Sequence, residues 1–186
     1  MHLIARMTIA ATLTSLLLAA PAAQAYSYAA AGKEPLIDAR EVLLKGGSDA
    51  AQSLSGIDEE LAYLETHHKV TLREPLKAAV TAGKTDEVAS LLNRAYRAEI
   101  ERRLEGAEQN LGDYQSAKVL VVKSKRFLDL VLPALPESHR KAAEQEIANV
   151  LKAIGNPGVF GVGAAPADSA AFKQAETALM QALAPL

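Results

Sequence analysis

Glu65-Thr66-His67-His68 is the segment of this chain best suited to chemistry. Glu65 and His68 stand at i and i+3, and on a helix that spacing turns a carboxylate and an imidazole to one side. Glu-x-x-His is the spacing used by carboxylate-bridged di-metal sites inside four-helix bundles. Such a site takes two copies of the motif, and this chain has one: the residue three before His139 is Pro136. One copy suits half a dinuclear centre, or a mononuclear one completed from elsewhere. The carboxylates to complete it are Asp38, Glu41, Glu99 and Glu101, and imidazole with carboxylate fits iron, copper or zinc without selecting one. The ligand set expected from sequence is Glu65 and His68 with Asp38, Glu41 and Glu99. The same residues also have a structural role open to them, because His67, His68 and Lys69 close a helix where cations complement its dipole.

Asp58 lies two turns before Glu65 and shares its side, whereas Glu59 and Glu60 point to a solvated acidic face. Charges of both signs alternate from Arg94 to Glu108, as on an exposed, salt-laced helix. Glu99 is the one that borders the apolar stripe. Lys118, Lys123, Lys125 and Arg126 make a basic stretch that reads as a solvated face. Residues 155 to 163, Gly-Asn-Pro-Gly-Val-Phe-Gly-Val-Gly, lack the preceding strand and the Lys-Ser/Thr of a phosphate loop. Their apolar members read as a latch tucked under the fold, or as a docking patch at Val159 and Phe160. Gly-x-Ser-x-Gly is absent and there is no cysteine, so no nucleophile is set up for acyl transfer.

The elements that must position these groups are helices. Alanine is abundant and aromatic residues make up 4% of the chain, which disfavours a β-rich fold. Apolar periodicity and Gly/Pro punctuation predict helices over about 34–45, 53–68, 72–82, 85–111, 114–132 and 137–154, with a short last one capped by Asp168 or Ser169. In the second, Leu54, Ile57, Leu61 and Leu64 form a stripe that His68 continues. In the fourth, Val88, Leu92, Tyr96, Ile100, Leu104, Ala107 and Leu111 trace one face. The run Val119 to Val122 resembles a strand, but its flanks keep helical spacing. Leu61, Leu92, Tyr96, Ile100, Leu104, Leu120, Val121, Leu128, Ile147 and Leu151 are the expected core. The fold class is all-α: a single-domain bundle of about six to seven helices with an up-and-down core.

The first 25 residues set the compartment. A basic start (His2, Arg6), an apolar run from Ala10 to Ala20 and Ala23-Gln24-Ala25 follow the order of a secretory signal peptide, with cleavage expected after Ala25. Residues 26–32 read as a flexible N-terminus and 33–186 as the bundle. Formal net charge is −2 for the whole chain, and −3 once Arg6 leaves with the signal, which gives no basic stripe for nucleic acid. Export without cysteine fits the periplasm, and no stable membrane insertion is expected after processing.

These features describe a non-enzymatic periplasmic binding or accessory protein that captures iron or another divalent cation. The competing reading is a metal-free adaptor that docks an envelope protein partner through Val159 and Phe160. A third reading, a di-metal carboxylate enzyme, has the single Glu-x-x-His against it.

Overall fold

The computed structural model describes residues 32–159 and 162–186, and the signal segment expected over 1–25 lies outside them. The protein is an all-α bundle. Its first helices are α1 (Pro35–Asp38), α2 (Arg40–Lys45), α3 (Ser48–Gly56), α4 (Asp58–His68) and α5 (Arg73–Thr81). Four longer ones follow: α6 (Thr85–Gln109), α7 (Tyr114–Val131), α8 (Glu137–Ala153) and α9 (Ser169–Ala182).

Local chemistry sets the boundaries. Pro35 takes the first turn of α1, where no amide donor is needed. Ala39 separates α1 from α2 while staying in the right-handed region, so the expected helix over 34–45 is preserved with a joint in it. The helix expected from Ser53 to His68 is two helices and starts earlier, at Ser48. Gly56 is a poor helix residue, and Ile57, at φ −114° and ψ 4°, breaks the run while burying its side chain. Lys69 ends α4 in the left-handed conformation at φ 59°. Asp113 starts α7 by accepting from the amides of Gln115 at 3.0 Å and Ser116 at 3.3 Å. The Ser116 hydroxyl, and after it the Ser116 amide, hold its carboxyl below the usual range. Val119 to Val122 are helical, as the spacing requires.

α6 packs along α7, and α8 along α9. The two pairs close into a bundle through α6 against α9 and α7 against α8, while α2, α4 and α5 lean on α6. Gly106 lets α6 approach α7 closely, since a Cβ there would lie 3.3 Å from Leu120 Cδ1. Tyr96 is fully buried and donates its hydroxyl to Leu36 O at 3.1 Å, tying α1 to the centre of α6. Burial raises its hydroxyl well above the ordinary tyrosine range, so it stays a donor.

Most of the expected core is buried: Leu61, Leu92, Tyr96, Ile100, Leu104, Val121, Leu128 and Ile147. Leu120 is half-buried against the core. Leu151 is a correction, being 42% exposed. The buried stripe of α8 steps through Ala143, Ile147, Val150 and Ile154, and one residue past Val150 turns Leu151 about 100° away. Among the described residues no helix is long and apolar enough to cross a membrane.

Candidate functional site

Among the described residues, no group of three or more histidine, aspartate and glutamate side chains is placed to hold a metal ion. The five residues expected as ligands each have their own surroundings. Glu65 Oε1 accepts from the amides of Leu72 at 3.2 Å and Arg73 at 3.1 Å, so it caps the start of α5. Glu99 is buried and held by Arg102 through two bonds of 3.0 and 2.9 Å. Asp38 and Glu41 stand exposed on α1 and α2. The His68 side chain does face inward, 10% exposed, but the carboxylate it meets is Glu105, at 4.0 Å. Asp58 and Glu65 do share a side of α4, as their spacing implies. Their common partner is Arg73, which makes bonds of 2.9 and 2.6 Å to Asp58 and lies 3.9 Å from Glu65.

Glu65→Ala should therefore act on the fold. It leaves two amides at the α5 start without an acceptor and is expected to cost about 0.5 to 2 kcal/mol, the range for a lost helix cap. Thermal unfolding of the variant should fall equally with chelator and with added iron or zinc. A loss seen only with metal present would restore Glu65 as a ligand.

The bundle brings a second set of charges together that sequence did not assemble. Glu34, just before α1, reaches Arg103 of α6 and lies 3.3 Å from Lys123 of α7. Arg103 also bonds Glu99 at 3.1 Å and covers the Phe127 ring at 4.9 Å. Glu34, Glu99, Arg103 and Lys123 are all buried. Lys123 thus corrects the expectation of a solvated basic face. Helical spacing did carry a signal for two of the four: Glu99 and Arg103 fall three and seven residues after Tyr96, on the buried stripe.

A wider groove of about 920 Å³ opens between α2, α3, α5 and the start of α6, with Leu44, Leu54 and Val80 in its wall. The Asp58–Arg73 pair sits on its rim.

The segment between α8 and α9 is a short hairpin. Asn156 and Ala165 exchange two backbone bonds of 2.8 Å, and Val159 and Val162 exchange bonds of 3.1 and 3.0 Å. Phe160 and Gly161 lie outside the described residues. Gly155 and Gly158 adopt φ of 80° and 72°, and a Cβ on either would come within 2.5 Å of a carbonyl across the hairpin, so only glycine fits. The Asp168 amide donates to Ala153 O at 2.8 Å and fixes the base to the end of α8. Val159 is 73% exposed and Val162 79%. These two valines are not tucked under the bundle, which corrects the latch expectation for them. Backbone pairing is satisfied across the hairpin itself, so the segment holds its form without burying them.

Comparison of the chain with protein-family models, with curated proteins and with solved structures finds no match in any of the three. Its class is defined by its own geometry: an all-α bundle with a buried ionic cluster and an apolar hairpin.

Proposed function

We propose that the mature chain is a non-enzymatic periplasmic interaction protein that docks an envelope protein through the hairpin between α8 and α9. One observation carries this reading: Val159 and Val162 are held in solvent by a hairpin whose backbone is tied at both its glycines and its base. Apolar side chains presented in fixed geometry are what a partner can bury without first ordering them. Full burial of a valine contributes about 1.5 kcal/mol or more. Two valines alone thus support a transient contact, and a stable one needs surface around them. Export and cleavage after Ala25 are part of the proposal and rest on the order of charge, apolar run and small residues in the first 25 positions. Capture of iron or another divalent cation has less behind it, because Glu65 and Glu99 are engaged by amides and arginines and His68 meets one carboxylate.

The test is site-directed photo-crosslinking in the periplasm of the producing cell. A crosslinker at Val162 should give one discrete protein adduct. The same probe at Val122 on α7, also an exposed valine, should not. The adduct should disappear when Val159→Asp is added to the Val162 probe. Equal labelling at both positions, or an adduct indifferent to Val159→Asp, would overturn the docking role. A dimer of this chain would redirect it to self-association.

A further inference from the structure

The groove of about 920 Å³ between α2, α3, α5 and the start of α6 shares no lining residue with the hairpin or the ionic cluster. Its size falls in the upper part of the range for small-molecule sites, about 300 to 1,000 Å³. Leu43, Leu61 and Val88 are buried in its wall, and Leu44, Leu54 and Val80 are half-buried there. An occupant laid against the half-buried three takes more apolar surface out of water.

The polar groups of the wall are already engaged. Ser55 donates its hydroxyl to Ala51 O at 3.2 Å, and Thr81 to Lys77 O at 2.8 Å, each within its own helix. Arg73 is bound to Asp58 by bonds of 2.9 and 2.6 Å. Among the described residues, no buried side-chain polar atom of the lining lacks a partner. A polar group pushed into the groove would lose its water without gaining a partner, so the inner part of a ligand is apolar.

The edge is different. Lys45 of α2 and Lys77 of α5 line the groove, are exposed and make no ion pair with a described residue. Glu74, one turn before Lys77, also lines it and is exposed. Glu41, one turn before Lys45, does not line it. With Arg73 and Asp58 spent on each other, the edge keeps two cations against one carboxylate. An apolar wall under a cationic edge matches an apolar chain that ends in a single negative charge.

We propose that this groove binds an amphipathic monoanion of the fatty-acid type. Its alkyl chain lies along Leu44, Leu54 and Val80, and its carboxylate meets Lys45 and Lys77 in water. The site and the docking hairpin are independent, and neither proposal rests on the other.

Calorimetric titration of the protein purified from the producing cell tests it, with decanoate held below its micelle concentration at fixed ionic strength. Saturable one-to-one binding is expected. Affinity should rise about fivefold or more for each pair of methylenes from hexanoate through octanoate to decanoate. Decyltrimethylammonium, with the same chain and the opposite charge, should bind about fivefold or more weakly. Ala51 is an exposed position of α3 in the groove lining, so Ala51→Trp fills the space without entering the core and should weaken decanoate about tenfold or more. If that variant does not fold, Lys77→Glu should still weaken decanoate severalfold and strengthen decyltrimethylammonium. Absence of saturable heat from decanoate overturns the site. So does affinity indifferent to chain length, equal binding of the two head groups, or decanoate binding unchanged in the variant read. A dimer of this chain that Ala51→Trp dissociates, or a protein adduct from a crosslinker at Ser55, would give the groove another occupant and overturn it as well.

Discussion

Arg103→Ala is expected to cost the fold about 3 to 5 kcal/mol, the penalty for removing one partner of a buried ion pair. Arg103 is 5% exposed and holds two carboxylates at once, Glu34 and Glu99. Removing its guanidinium leaves both in the interior with less compensation. Lys123 stays near Glu34 and Arg102 stays on Glu99, which keeps the loss toward the lower part of that range. The cation over the Phe127 ring is lost as well. Urea unfolding measures the difference directly. A companion variant separates charge from packing: Arg103→Met and Lys123→Met combined with Glu34→Gln and Glu99→Gln remove the buried charges of the cluster together. It should recover most of the loss, because a buried ionic set replaced as a whole is close to neutral. A loss under about 1 kcal/mol for Arg103→Ala would mean that water already reaches the carboxylates.

Sequence showed the bundle clearly where its signals are local. Ala117, Val121, Ser124, Leu128 and Val131 step along one face of α7, and all are buried, so the strand-like Val119–Val122 run resolved as helix. Glu99 was legible as inward because it borders the stripe of Leu92, Tyr96 and Ile100. The partners of Glu99 and Glu34 were less legible, for a physical reason. Lys123 reads as one more lysine in a basic run until Glu34, far away in sequence, is laid against it by the packing of α1 on α6 and α7. No periodicity reports such a pairing. For Glu-x-x-His the local pattern was plain and the surroundings were not. Glu-x-x-His does put Glu65 and His68 near one side of α4. What decides the role of Glu65 is the start of α5, whose amides lie within its reach. Apolar composition left the hairpin open to two readings, a buried latch or a docking patch, and its glycines decide against the latch for Val159 and Val162 by letting the backbone satisfy itself with these valines in water.

One source of pH-dependent stability lies in the seam between α6 and α9. Glu101, Glu105 and Glu108 recur at i, i+4 and i+7 on α6, and half-buried Glu176 of α9 faces their field. Burial is the main reason its carboxyl is pushed up to about 7, with Glu108, Glu105 and Glu101 adding to the rise and Lys173 opposing it. Lys173 sits 3.6 Å from Glu108, and His68 of α4 is 4.0 Å from Glu105. On the α8 side, His139 meets Ala182 O at the far end of α9, 3.0 Å away. Between pH 4.5 and about 7 the folded chain keeps a proton on Glu176 that the unfolded chain has released. Folding then binds a proton at Glu176, so the contribution of this group to stability falls as pH rises through that window and is lowest above it. Screening at a half-exposed group limits the loss to about 1 to 2 kcal/mol. Glu176→Gln should match the unmodified protein near pH 4 and exceed it by that amount near pH 8. Unfolding curves at the two pH values give the difference, in which the other carboxylates largely cancel. A variant no more stable than the parent at pH 8 would show that Glu176 ionises at its ordinary value and that α9 docks on α6 without electrostatic cost.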